Sequence, residues 1–474
     1  MKCLAPHFKI PSVSFIKNQM CLKYDALHEL FKARIAVAPH ICLTMDIWTE
    51  TMSEKSFLGV TAHFLEGISF RSIIIAVRAM TTSHTADNIR DLVIQILEDW
   101  DIDLDKVISV VTDNGANMVA AMRKMLDNRR LPCFAHTLNL VSESAVGTES
   151  IKEIIGKVRN IVKHIKNSVK MSDKLRQRKM DDGVAEGNVK KLILEVKTRW
   201  NSTYYMLERF LELRRIVVDI LLDEPTGPAM PTSHDFEVLK QILELLKPFE
   251  YVTREISGEK YITLSKVIPM INCLSKQIQS FESNITEVNT VKENFLKNLT
   301  KRFGQIEQMS AVAIATILDP RFKTIHFQDM LACTKAQSKI RATLSNMFES
   351  PVTDVQSASS ENSDYDFWTH HRDLASNPRM AASNSKDELT LYLASPLSSL
   401  QSNPLETWET LKGTFPALYK MARNYLSHMA TSVPCERLFS KAGATITTAR
   451  NRLSSKHLEK LLFLGSIEEE FWFK

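Results

Sequence analysis

The sequence predicts a mixed α/β protein, and three observations carry that prediction. Three β-rich stretches follow one another closely between residues 41 and 80. An amphipathic helical stretch and then a second apolar, β-branched run come next, between Thr85 and Thr112. From about residue 201 to Phe348, and again from Phe415, the apolar residues keep helical spacing.

The first forty residues are mixed, with a short helical pattern around Tyr24–Ala36. "ICLTMDIWT" (Ile41–Thr49) is short, apolar and β-branched, so it reads as a strand. "SFLGVTAHFLE" (Ser56–Glu66) alternates as a strand does, Gly67 supplies a turn, and Ile68–Met80 is a third strand. Their tight connections predict an antiparallel meander. In "TADNIRDLVIQILEDW" the apolar residues Ile89, Leu92, Val93, Ile96, Leu97 and Trp100 fall on one helical face, with Thr85 or Ser83 as cap. "KVISVVTD" is apolar on both faces and reads as a buried strand. A helix follows in "NMVAAMRKML", then a short edge strand or loop in "RRLPCFAH", because Pro132 cannot donate to a ladder. "TLNLVSESAV" is again helical. The order β-β-β-α-β-α-β-α is that of the ribonuclease-H-like fold, and other mixed α/β folds share parts of it.

Residues 151–180 read as one basic amphipathic helix. Ile151, Ile154, Ile155, Val158, Ile161, Val162, Ile165 and Val169 line one face, with Lys157, Arg159, Lys163, Lys166 and Lys170 off it. Such a run is either a solvated face over a core stripe or a surface for phosphates. Long helical segments are expected around 236–255, 262–281 and 290–303. Ser350–Asp366 is Ser-rich and poor in large aliphatics, which predicts disorder.

Bulk properties narrow the classes. At 474 residues the chain is long for one core. Its 44% hydrophobic and 24% charged residues suit a globular protein. No apolar run is long enough to span a bilayer, so no membrane partner is expected. The N-terminal stretch lacks the apolar segment of a secretory signal. Seven scattered cysteines suit a reducing compartment. A net charge of +5 permits nucleic-acid binding without demanding it.

Two acids sit in unusual places. Asp46 interrupts an apolar strand, where Asp is disfavoured and a buried carboxylate needs a partner. Asp113 ends the central strand in "VTDNGAN". Asp-Asn-Gly is hairpin vocabulary, but the helical stretch after it makes Asp113 the carboxyl end of a strand that feeds a helix, where ligands of α/β sheets gather. If strands one and four are neighbours, the two carboxylates lie side by side and call for a cation between them. Glu436, in "SVPCERLFSKAG", falls in the first turn of a helix opened by Ser432 and Pro434. There it is either a third ligand or an acid that suits the helix dipole.

Six segments carry a family resemblance: "LTMDIWTE", "VTDNGANMVAAM", "LPCFAHTLNL", "VKTRWNSTYYMLERFLE", "ATILDPRFK" and "ATSVPCERLFSKAGATITTARNRLSSKHLEKLLFLG". In this order, from about residue 40 to 465, they resemble the hAT superfamily of DNA transposases and, within it, proteins that usually carry a zinc-finger BED domain. The resemblance implies a ribonuclease-H-like mixed-sheet core interrupted by a large all-α insertion. The expected parts are a helical lead-in (1–40), the first part of the core (41–200), a helical insertion (201–425) with a disordered loop near 350–388, and a return to the core with a helical dimerisation segment (426–474). It implies an Asp-Asp-Glu site at Asp46, Asp113 and Glu436 that binds Mg²⁺ or Mn²⁺ and cleaves and joins DNA, with no small-molecule substrate.

By the same resemblance Cys133 and His136 match a Cys-x-x-His motif, read as a DNA contact or a core role near the site, since two ligands do not make a structural zinc site. Arg199 and Trp200 match an Arg-Trp pair, read as a phosphate grip and a stacking surface for an unstacked base, with a core role for Trp200 left open. The apolar chain end, Leu458 to Trp472, is expected to be buried against the insertion or a partner subunit. No Cys-x-x-Cys with a downstream His pair occurs in the sequence, so the BED finger is expected to be missing. A nuclear, DNA-binding dimer is expected, either an active recombinase or a catalytically silent transcriptional regulator.

Overall fold

The computed structural model describes residues 11–50, 54–196, 200–222, 224, 227–348, 388–446 and 453–472. The expected disordered loop at 350–388 lies outside the described residues except for Glu388. Among the described residues no helix is long and apolar enough to cross a membrane.

The chain forms two compact units. One comprises residues 1–133, 257–268 and 307–474, the other 134–256 and 269–306. The first holds the only sheet found among the described residues, built from β1 (Ile41–Thr49), β2 (Ser56–Glu66), β3 (Ser69–Met80), β4 (Val107–Thr112) and β5 (Arg130–Pro132) in the order β3-β2-β1-β4-β5. β3, β2 and β1 pair antiparallel, as the tight turn at Gly67 (φ 60°) allows. β4 and β5 add to β1 in parallel. Strands one and four are therefore neighbours, the condition under which Asp46 and Asp113 come close.

Helices α1 (Val13–Val37), α2 (Ala86–Asp99) and α3 (Ala116–Leu126) belong to this unit. α1 is longer than the expected 24–36, because Ser12 caps it by accepting the Phe15 N–H. Thr85 caps α2 in the same way through Asn88. One core cluster joins Leu27, Phe31 and Ile35 of α1 to Ile89, Val93 and Ile96 of α2 and to the β1 and β4 interiors, around fully buried Trp100.

The second unit is helical: α4 (Phe134–Ala145), α5 (Glu149–Asn167), α6 (Val169–Asp181), α7 (Trp200–Leu222), α8 (Ser233–Ile256), most of α9 (Val267–Ser280) and α10 (Thr286–Phe303). The expected single helix at 151–180 is two helices. Ser168 leaves the helical region (φ −106°, ψ 116°) and accepts the Met171 N–H, ending α5 and starting α6.

α4 packs on α8 and α10, and α5 and α6 on α7, so residues from 134 on belong with the helical unit. Residues 307–425 return to the sheet unit, with α11 (Ser310–Leu318), α12 (Met330–Phe348), α13 (Pro404–Leu411) and α14 (Pro416–Leu426). The unit closes with α15 (Val433–Thr445) and α16 (Ser455–Leu464). The apolar chain end is buried, but in this unit's own core. α16 packs on β3 and α1, and Leu458, Leu462, Phe463 and Phe471 are 1–4% exposed. The six described cysteines are free thiols.

Candidate active site

β1 alternates across the sheet, so Thr44, Asp46 and Trp48 share one face. α15 lies against that face. Its Cys435 Sγ donates to Thr44 O at 3.2 Å, and its Phe439 ring stacks on Trp48 at 5.6 Å between centroids. Trp48 stacks in turn on Phe57 of β2. Below the contact runs a buried chain: Thr44 Oγ1 to Thr61 Oγ1, and Thr61 Oγ1 to His63 Nε2 at 2.8 Å. Burial holds His63 neutral, with its pKa pushed down to about 3.

Gly59 makes the approach possible. It pairs with Asp46 across the β1–β2 ladder, and a Cβ there would stand 2.7 Å from Phe439 Cζ and 3.1 Å from Leu438 Cδ2. Gly59→Val suits a strand in isolation but drives into this contact. We expect it to cost about 1–3 kcal/mol in urea unfolding, the usual range for overpacking.

The segment before α15 explains how an acid 390 positions beyond Asp46 in sequence reaches β1. It is sewn to the sheet unit residue by residue. His428 Nδ1 bonds Ser109 Oγ of β4 at 2.8 Å, and the Met429 N–H donates to Cys42 Sγ of β1. The Ala430 N–H donates to Thr263 Oγ1, and the Ser432 N–H to Cys133 Sγ at 3.3 Å. Ser432 does cap α15 by position, without a side-chain hydrogen bond, and Pro434 and Glu436 occupy the first turn as expected.

Three carboxylates meet electrostatically. Asp46 is largely withdrawn from water, and burial pushes its pKa up to about 7. The negative charges of Asp113 and Glu436 push in the same direction, while the Ile47 N–H, donating to Asp46 Oδ1 at 2.8 Å, opposes them. Asp113 is not a hairpin residue. It follows β4, accepts the Gly115 N–H at 3.2 Å, and leads into α3 with Gly115 as its first cap. Among the described residues no group of three or more His, Cys, Asp and Glu side chains is gathered tightly enough to hold a metal ion.

One residue of the site was not legible beforehand. Arg130 of β5 donates to Thr112 Oγ1 at 2.9 Å, to Asp113 O at 2.6 Å and to Asn114 Oδ1 at 2.7 Å, fastening the turn that carries Asp113. Burial lowers its pKa, and the Asp113 charge works the other way. In the sequence it is one of two adjacent arginines, and nothing there marks it.

Cys133 is fully buried and takes the core position under the start of α15. His136 is half-buried on α4 of the helical unit. Trp200 opens α7, and Arg199 lies outside the described residues.

The sheet unit is thus a mixed five-stranded sheet with Asp46 on β1 and Asp113 just after the neighbouring β4. Comparison with known proteins is more particular. Residues 388–466 match the hAT family C-terminal dimerisation region, residues 131–245 the ZBED1 RNase-like helical domain, and residues 29–161 a domain of unknown function, DUF659. The chain is 24% identical to zinc finger BED domain-containing protein 4 of Homo sapiens over 98% of its own length and 41% of that protein. It is 24% identical to a putative AC transposase of Zea mays over 98% of its length and 61% of that protein. A putative transcriptional regulator, tpeD, of Talaromyces stipitatus is 22% identical over 96% of this chain and 56% of its own. The chain thus spans about half the length of the curated relatives it matches. It is similar to hAT transposases and to zinc finger BED domain-containing proteins over nearly its whole length.

Proposed function

We propose that the chain is a hAT-type transposase, or a nuclear protein derived from one, that binds DNA and self-associates through the region matched at 388–466. Its sheet unit is read as a ribonuclease-H-like core, with Asp46, Asp113 and Glu436 as the site of DNA cleavage and strand transfer. The observation that carries this reading is Asp46, a carboxylate held in a strand, raised to about 7 by burial and by two further acids.

The donor set suits a hard dication, which takes carboxylate oxygens and relieves such repulsion. Since among the described residues no three such side chains gather round one point, a Mg²⁺ or Mn²⁺ ion would take one or two of these carboxylates and complete its shell from phosphate and water oxygens. Bound there, it would polarise a phosphoryl oxygen and favour ionisation of an attacking water or 3′-hydroxyl. The chain's own contribution is position. Ile47 N–H orients Asp46, Gly115 N–H and Arg130 fix Asp113 and its turn, and the stitched segment 428–432 delivers Glu436.

The test is metal-dependent nicking of duplex DNA bearing terminal repeats. The parent protein is expected to nick it with Mg²⁺ or Mn²⁺, and Asp113→Ala to lower the rate about a thousandfold or more, as loss of a central catalytic group does. Nicking unchanged in Asp113→Ala removes the assignment. A second reading, a catalytically silent DNA- or chromatin-binding regulator, is favoured by the regulator among the relatives. It predicts DNA binding without nicking by the parent protein.

A further inference from the structure

Between residues 151 and 192 the helical unit carries twelve Lys and Arg against five Asp and Glu, an excess of seven, where the whole chain has an excess of five. Outside this one stretch, the chain is slightly acidic. The charge is therefore concentrated, and the α5 stripe that includes Ile154, Val158, Ile161 and Ile165 keeps it on one side by burying the other.

Some of these cations are spoken for. Lys157 pairs with Glu153 and Asp235, Arg159 with Glu195, Arg176 with Asp173 and Glu186, and Lys190 with Glu212. Others are not: Lys163, Lys166, Lys170, Arg178 and Lys191 are exposed, and none has a carboxylate partner among the described residues. Two of them, Lys166 and Lys191, line a cleft of about 470 Å³ formed by the end of α5, by α6 and by the segment at 186–192. Ile165, Leu175 and Leu192 also line it, and Arg176 pairs with both carboxylates of the lining, Asp173 and Glu186. Arg209 fixes the Lys191 side of the cleft by donating to the Lys191 carbonyl at 2.9 Å. A merely solvated helix face would disperse its charge among i,i+4 partners. Here Lys166 of α5 and Lys191 of the following segment are both exposed and line one groove, and Lys163 and Lys170, exposed as well, flank Lys166 in the chain.

We infer that this cleft and the flanking lysines 163, 166, 170 and 191 form a surface that grips the phosphodiester backbone of DNA. This rests on the reading of the chain as a DNA-binding protein and adds where, on the helical unit, the backbone is held. Each lysine neutralising a phosphate releases condensed counterions, so the contact registers as salt dependence, not base preference.

The test uses the full chain, a fluorescent 30-base-pair duplex and titrations from low to moderate salt. The triple substitution K166A/K170A/K191A is expected to lower affinity about tenfold or more and to reduce the log–log salt slope by roughly 2–3, at ~0.9 per contact. The control K276A/K297A/K301A removes three exposed lysines of the same unit and is expected to leave the slope nearly unchanged. Thermal unfolding of both variants should match the parent, since all six side chains face water. A slope unaltered in K166A/K170A/K191A, or reduced equally by the control, overturns the assignment while leaving DNA binding intact. A parent protein that binds no duplex at low salt defeats the DNA-binding reading itself. Binding of phosphatidylserine vesicles by the parent that K166A/K170A/K191A abolishes and the duplex does not compete away would reassign the surface to membranes and overturn the inference.

Discussion

An Asp46→Asn variant is expected to be more stable than the parent protein at pH 8 while losing whatever metal-dependent DNA cleavage the parent performs. The sign follows from the raised pKa. Asp46 titrates near 7 in the folded chain and near its ordinary value of 3.8 when unfolded. Between those values the folded form holds the extra proton, so stability falls as pH rises from about 4 through about 7. Above 7 the whole penalty is present. A shift of this size has a ceiling of about 4 kcal/mol, and partial exposure of the side chain brings the expectation to about 2 kcal/mol. Asn keeps the oxygen that accepts the Ile47 N–H and removes the charge that Asp113 and Glu436 oppose. Chemical unfolding in EDTA from pH 4 to 8.5 measures it: the gain should grow with pH and shrink toward zero as the pH falls to about 4. Adding Mg²⁺ or Mn²⁺ should then stabilise the parent more than the variant. A variant less stable than the parent at pH 8 would show that Asp46 is compensated by contacts other than a cation.

The second large effect lies away from the carboxylates. Asp319, in the "LDPRFK" stretch, is fully buried and accepts from Arg321 Nε at 2.8 Å, Arg321 Nη2 at 2.6 Å and Ser265 Oγ at 2.6 Å. Arg321 is itself only 7% exposed. Next to it Lys323 is buried with its ammonium spent on carbonyls of Tyr392, Ser395 and Pro396. This knot joins residues 263–265, 319–323 and 392–396 of the sheet unit. Asp319→Ala strands a buried guanidinium and is expected to cost about 3–5 kcal/mol. The double variant Asp319→Ala/Arg321→Met should recover much of that loss, because it removes the orphaned charge as well. Urea unfolding of the single and double variants decides it. A single-variant cost under about 1 kcal/mol would mean that water reaches Arg321.

Local patterns carried a large share of the fold. β1 and β2 begin and end where β-branched and alternating residues begin and end, because both are short and bounded by turn residues. Thr85 capped α2, and the helix after "TDNG" ruled out a hairpin at Asp113. Where two signals overlapped, the pattern was less reliable. The basic run through 151–180 keeps its apolar period across Ser168, and only the cap of Met171 shows the break. Which helices pack together was not legible either, since helical periodicity says which face is buried and not against what. Hence 134–196 went to the helical unit and 307–425 to the sheet unit.

By itself the sequence determined the element order, the strand in which Asp46 sits, the strand end at Asp113, the first-turn position of Glu436 and the resemblance to hAT transposases. These are matters of local chemistry and chain order. Tertiary structure alone decided that β1 and β4 are neighbours, that Gly59 lets α15 down onto β1, and that hydrogen bonds from His428, Met429, Ala430 and Ser432 carry Glu436 to Asp46. The pKa of Asp46 belongs to that second group. A carboxylate leaves its ordinary range only when burial and other charges surround it, and residues 46, 113 and 436 become neighbours only once the chain has folded.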